Sequence, residues 1–298
     1  MRPRTRLLLL KVAVVVLPLG LIVAAMHWLL PGLARHREQQ LLGETYVLKE
    51  TDRFRIWRPR DVALEPLVAS GLELFLAQLY AQYGEALDLR PLEDEVKITV
   101  HVFASHDDLV RYASRRMKQD LSHAEGFYDP VSWGIALTLR PPRELLRTLF
   151  HEATHLLMDR SAPEARWSLW FSEGMAVYFE SSAVAEGRLV LGGADRGAAA
   201  RVLELAARGA HVPLERLVDG DEELFRSQAA ALAYQEAGLL VAFLLDGAGG
   251  RHRQKFLRYY RVESHRGAPP PDALATYLDL SMERLEDEWL AYLRTVVR

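Results

Sequence analysis

The chain has 298 residues, half of them hydrophobic, which is enough for one sizeable domain around a packed core. It contains no cysteine, and this excludes disulfides, cysteine-ligated metals and thiol nucleophiles together. The net charge of −3 is uneven: residues 1–40 carry six Arg or Lys against one Glu, and the mildly acidic remainder has no basic stripe, which argues against nucleic-acid binding.

Nineteen uncharged residues, Val12 to Leu30, are apolar on every side and long enough to cross a bilayer as a helix. Arg2, Arg4, Arg6 and Lys11 precede them and Arg35 and Arg37 follow, so the positive-inside bias keeps the N-terminus cytoplasmic. Residues 1–34 are therefore expected to form a cytoplasmic tip and a single transmembrane anchor, with the rest of the chain extracytoplasmic. A cleaved signal peptide is the competing reading, with Gly32-Leu33-Ala34 as its small-residue site.

Residues 35–45 are polar and read as a linker, leaving 46–298 as the folded domain. Phe54 to Trp57 alternates like a strand, and Val62 to Tyr83 carries apolar residues at helical spacing. Val96 to Phe103 alternates cleanly, which puts His101 on the polar, solvent-facing side. A helix is expected over Asp107 to Met117, a turn at Gly126 to Pro130 and a strand from Trp133 to Leu139. Pro141 and Pro142 stop that strand and open a helix near Arg143. Helices are then expected over 143–159, 167–183, 195–208, 221–246, 251–262 and 281–297, with Gly267 to Pro271 a surface loop and Gly247 to Gly250 a helix cap and turn. A mixed first half followed by a helical second half indicates the α+β class.

The chemistry concentrates in His151-Glu152-Ala153-Thr154-His155. Residues four apart on a helix lie one above the other, so both imidazoles can share one metal ion. Glu152, one residue along from His151, can reach water on that metal without being a ligand. Zinc suits such a site because it activates bound water near neutral pH and keeps a coordination position open. A third ligand is needed, and Glu173 lies eighteen residues beyond His155, room for a turn and an antiparallel return helix. Gly174 beside it allows close helix–helix approach. The alternative with a third histidine on a short extension fails, because Met158 and Ser161 stand where Gly and His are required.

With Trp170-Phe171-Ser172-Glu173-Gly174-Met175-Ala176 the sequence resembles the gluzincin branch of zinc metallopeptidases, which includes zinc aminopeptidases and the bacterial peptidase-MA-like families. Trp170, Glu173, Gly174 and Ala176 match the Trp-x-x-Glu-Gly-x-Ala segment, while Ser172 stands where Asn is commoner. Gly126-Phe127-Tyr128 and the strand before the histidines also look like the peptidase-MA-like group. The resemblance implies a zincin-like fold, a small mixed sheet followed by a helical C-terminal half. It further implies one Zn2+ on His151, His155 and Glu173, Glu152 as general base, and the strand Trp133–Leu139 as an edge that pairs with extended substrate. No Gly-x-Met-Glu-Asn anchor for a substrate amine is present, so an endopeptidase is expected rather than an exopeptidase.

Gluzincins often place a Tyr or His on a later helix to steady the oxyanion. Tyr234 is the candidate here and His211 the second, with a packed aromatic as the alternative for Tyr234. Tyr178 reads as core. Glu180, two turns after Glu173, either orients a ligand histidine, substitutes as a ligand, or is a solvated carboxylate; Asp159 either orients His155 or sits at a helix end. The expectation is a membrane-anchored zinc peptidase acting on a peptide or protein substrate. The alternatives are a catalytically inactive zincin-like binding or scaffold protein at the membrane, a tethered interaction module presenting its helical half, and a zinc hydrolase of a non-peptide bond.

Overall fold

The computed structural model describes residues 32–92, 97–118, 121, 124–185, 188–219, 222–266 and 272–298. The expected membrane helix over 12–30, Val96 and the expected loop from Gly267 to Pro271 lie outside the described residues. The chain divides into two units, 32–47 with 59–61 and 48–58 with 62–298. In the smaller unit residues 32–42 (α1) are helical, where a linker was expected. The reason is a local cap: Gln39 Nε2 donates to the carbonyls of Gly43 (2.7 Å) and Tyr46 (3.1 Å), and Gly43 has the positive φ that ends such a helix.

The sheet consists of β1 (Tyr46–Glu50), β2 (Phe54–Pro59), β3 (Ile98–Phe103), β4 (Gly126–Asp129) and β5 (Gly134–Thr138), in the order β1-β2-β3-β5-β4. β2, β3 and β5 run parallel, and β4 returns antiparallel to β5 at one edge. Two expectations are corrected here. Gly126 to Asp129 is one of the two edge strands, not a turn; the turn falls at 130–133, where the Asp129 carboxylate accepts from Val131 N (2.9 Å) and Arg116 Nε (3.0 Å). β5 is consequently not an edge: it is buried along its length between β3 and β4.

His101 is also corrected. It is 5% exposed, its ring 5.1 Å from that of Tyr112 on α3 (His106–Met117), so the second face of β3 is covered as well as the first. Alternation marked a polar face, but a central strand is buried on both sides. The other face carries Ile98, Val100 and Val102 into a core shared with α2 (Glu65–Tyr83) and α4 (Pro142–Ser161), where Phe75 stacks on Phe150 at 4.6 Å. Each such side chain contributes about 1.5–3 kcal/mol by leaving water.

The helical half continues as α5 (Leu169–Glu180), α6 (Arg196–Ala206), α7 (Leu214–Val218), α8 (Glu222–Arg226), α9 (Ala230–Asp246), α10 (Arg253–Arg266), α11 (Ala273–Leu278) and α12 (Met282–Val297). The architecture is α+β. A short hairpin, β6 (Ala183–Ala185) with β7 (Arg188–Val190), follows α5 and was not anticipated. The single helix expected over 221–246 is two, because Ser227 Oγ donates to Leu224 O (2.8 Å) and accepts from Ala229 N (3.0 Å), ending α8 before α9 begins.

Residues Ala230–Gly249 are long and apolar enough to cross a membrane by length and composition, and 67% of an apolar 18-residue window within them is buried inside the protein. α9 crosses α5 at two glycines. A Cβ on Gly174 would stand 2.9 Å from both Ala237 O and Val241 Cγ2, and one on Gly238 would strike Val177. Backbone at Ala237 cannot yield as a side chain can, so Gly174→Ala is expected to cost about 1–3 kcal/mol, read as a lower midpoint in urea. An unchanged midpoint would mean that this crossing has slack.

Candidate metal centre

Helix α4 stacks His151 over His155, and α5 brings Glu173 back against them. The start of α5 is pinned before Glu173 is reached. Glu263 of α10, fully buried, accepts from Ser168 N (3.3 Å), Ser168 Oγ (2.7 Å) and Tyr259 OH (2.6 Å). Trp170 and Phe171 are buried against Tyr259 of the same helix.

The ligand atoms converge. His151 Nε2 lies 3.3 Å from His155 Nε2 and 3.4 Å from Glu173 Oε2, and His155 Nε2 lies 3.5 Å from that oxygen. Tetrahedral zinc with arms of about 2.0–2.1 Å has ligand–ligand edges of about 3.3–3.4 Å. These three residues can hold a metal ion. The far side of each ring is occupied: His151 Nδ1 is 3.0 Å from Glu180 Oε2, and His155 Nδ1 is 3.2 Å from Ser172 Oγ. If each Nδ1–H donates outward, both Nε2 lone pairs and a carboxylate oxygen face one point, which is unfavourable until a cation sits there.

The titration behaviour agrees with that charge balance. Burial lowers the pKa of His151, but hydrogen bonds to Glu173 and Glu180 and the charge of Glu152 outweigh it, holding the imidazole well above its ordinary value. Burial raises Glu173, yet His155 and His151 hold it well below the usual carboxylate range. Glu180 is likewise lowered: burial is outweighed by His151 and Arg147. A cavity that gathers protons in this way will exchange them for a metal dication, with affinity rising as pH rises through the histidine pKa. Glu152 is buried, and its pKa is raised, chiefly by burial; the two imidazoles pull it down and Glu173 and Glu180 push it up.

Of the remaining candidates, Glu180 is the orienting partner of His151, with Arg147 Nη2 behind it at 2.8 Å. Ser172, rather than Asp159, meets His155 Nδ1. Glu180→Gln is expected to weaken zinc binding about 10–100-fold with little change in fold, measured by chelator competition. Wild-type affinity in that variant would remove Glu180 from the metal's support. Tyr178 is core, its hydroxyl donating to Asp246 at 2.9 Å.

Tyr234 shares a cleft of about 480 Å³ with His151. Its pKa is pushed up to about 12, first by burial and then by Glu173 and Glu152, which places its hydroxyl within their field. His211 is elsewhere: its Nε2 pairs with Glu286 Oε1 at 2.9 Å, while Glu286 and the fully buried Glu236 accept the backbone N–H groups of Leu214 and Val212. Burial, joined by Glu286 and opposed by the Val212 N–H, raises Glu236 to about 8. The folded chain therefore holds a proton that the unfolded chain releases near its ordinary value. Stability falls by about 1.4 kcal/mol per pH unit between these values and levels off above pH 8. Glu236→Gln is expected to flatten that decline in thermal melts at pH 5 to 8; an identical slope in both proteins would contradict it.

Two contributors escaped the sequence reading. Arg147 sits one turn before His151 on the same face of α4, a spacing that would have found it. Arg201, which lines the cleft beside it, carries no local signal.

The model of a family described as a protein of unknown function (DUF1570) matches residues 146–270. A comparison with curated proteins finds none that matches. The matched span takes in His151, Glu152, His155, Ser172, Glu173, Glu180 and Tyr234, so this chain is similar to that family across the whole candidate centre.

Proposed function

We propose that the protein is a zinc-dependent peptidase of zincin-like fold, resembling the gluzincins, tethered by its N-terminal segment and working on the extracytoplasmic side. The observation that carries the proposal is the convergence of His151, His155 and Glu173 at 3.3–3.5 Å with Glu152 buried beside them. Zinc on those three ligands would supply Lewis acidity and a water acidic enough to ionise near pH 7.

The chain's own residues account for the remaining steps. Glu152 takes the proton from the attacking water and passes it to the amine nitrogen as the C–N bond breaks. Tyr234 donates its O–H to the carbonyl oxygen as negative charge develops there, from a cleft wall already shared with His151. Glu180 and Ser172 hold the two imidazoles in the tautomer that leaves Nε2 for the metal. The edge strand beside β5 is β4, so extended substrate would pair along Gly126–Asp129 rather than along β5.

The test is zinc-dependent appearance of new N-termini when the full chain is incubated with an unfolded protein substrate, beside the chelated protein. Cleavage that returns on adding zinc supports the reading. Bound zinc without cleavage of any peptide would favour a catalytically inactive binding or scaffold protein.

A further inference from the structure

The cleft beside the metal centre has unmet polar demands of a particular kind. Its lining includes apolar Val177 and Leu239 and two arginines, Arg147 and Arg201. Arg147 is neutralised, 2.8 Å from Glu180 Oε1 and 4.0 Å from Asp195 Oδ2. Both cleft carboxylates are likewise engaged: Glu180 lies between His151 and Arg147, and Asp195 caps α6 by accepting from Ala198 N at 2.9 Å. Arg201 is exposed and has no carboxylate partner among the described residues. Gln235 lines the same cleft, and its buried Oε1 has no donor among the described residues.

One unmatched cation and one unmatched acceptor are what a peptide bearing an acidic side chain would satisfy. Its carboxylate accepts from the Arg201 guanidinium, and a backbone N–H donates to Gln235 once that side chain turns its Oε1 into the cleft. The volume, about 480 Å³, lies in the range of roughly 300–1,000 Å³ found for ligand pockets. We infer that this cleft receives an Asp or Glu side chain of the substrate next to the scissile bond, with Arg201 as the residue that selects it. The inference rests on the peptidase reading and adds to it a substrate class.

Peptide hydroxamates test it without requiring turnover, because the hydroxamate needs only the metal. Two series are used, extending to either side of the hydroxamate, each with Glu, Gln or Lys at the nearest residue, and Kd is measured on the zinc-loaded full chain. In one series the Glu compound is expected to bind about tenfold more tightly than the Gln compound and more tightly still than the Lys compound, with the gap narrowing at high salt. Arg201→Gln should bring the Glu-to-Gln ratio close to one, and Arg201→Glu should invert the order of Glu and Lys. Zinc content and thermal midpoint serve as the folding check. Binding in both series without preference for Glu, or a preference that survives Arg201→Glu, overturns the pocket assignment alone. No binding of any hydroxamate to the zinc-loaded protein overturns the peptidase reading and this assignment with it.

Discussion

Replacing Glu152 by glutamine is expected to lower kcat for peptide hydrolysis about 10²–10⁴-fold while zinc stays at its wild-type level. The two halves of that expectation have separate physical sources. Gln keeps the volume and the buried position of Glu152 but cannot accept a proton from water, so the base is lost while the packing is kept. The three ligand atoms belong to His151, His155 and Glu173, whose side chains are held by Glu180, Ser172 and one another, so the metal's support remains. Activity assays beside metal analysis decide the matter. Undiminished activity would remove Glu152 from the chemistry, and lost zinc would make it a structural support instead.

Glu173→Ala is the second large effect. It takes away the only anionic ligand and leaves two neutral imidazoles on one helix. Zinc affinity should fall by more than the roughly 100-fold limit expected for losing an orienting partner such as Glu180. Without metal the variant is also disturbed, because Glu173 is the carboxylate that meets both Nε2 atoms in the buried cluster. The clearest readout is the rise in thermal midpoint on adding zinc. A ligand that binds only the folded state stabilises by RT ln(1 + [L]/Kd), so the wild type should gain several degrees at micromolar zinc and the variant little or none. An equal rise in both proteins would mean that the metal sits elsewhere.

The histidine pair and Glu173 were legible because a helix converts spacing into direction: four residues is one turn, and a following antiparallel helix is the simplest way back. Glu180 was ambiguous for the opposite reason. Two turns beyond Glu173 fixes a face of α5 but not what α4 presents to it, and the answer depended on His151 turning Nδ1 outward. His101 misled because alternation reports polarity and not what covers a strand; α3 closes that face. The edge strand was misplaced because Gly126-Phe127-Tyr128-Asp129-Pro130 contains turn residues at both ends of a four-residue strand, and Asp129 in fact closes the turn that follows. The cleft was invisible, since its walls come from α4, α5, α6 and α9 and its residues are scattered from Arg147 to Leu239.

His151, His155 and Glu173 together are expected to hold one metal ion. Elemental mass spectrometry of the purified full chain, after reconstitution with zinc and removal of loosely bound ions, tests it most directly. About one zinc per chain is expected. A folded chain that retains no zinc would contradict it, and with it the hydrolytic mechanism built on Glu152.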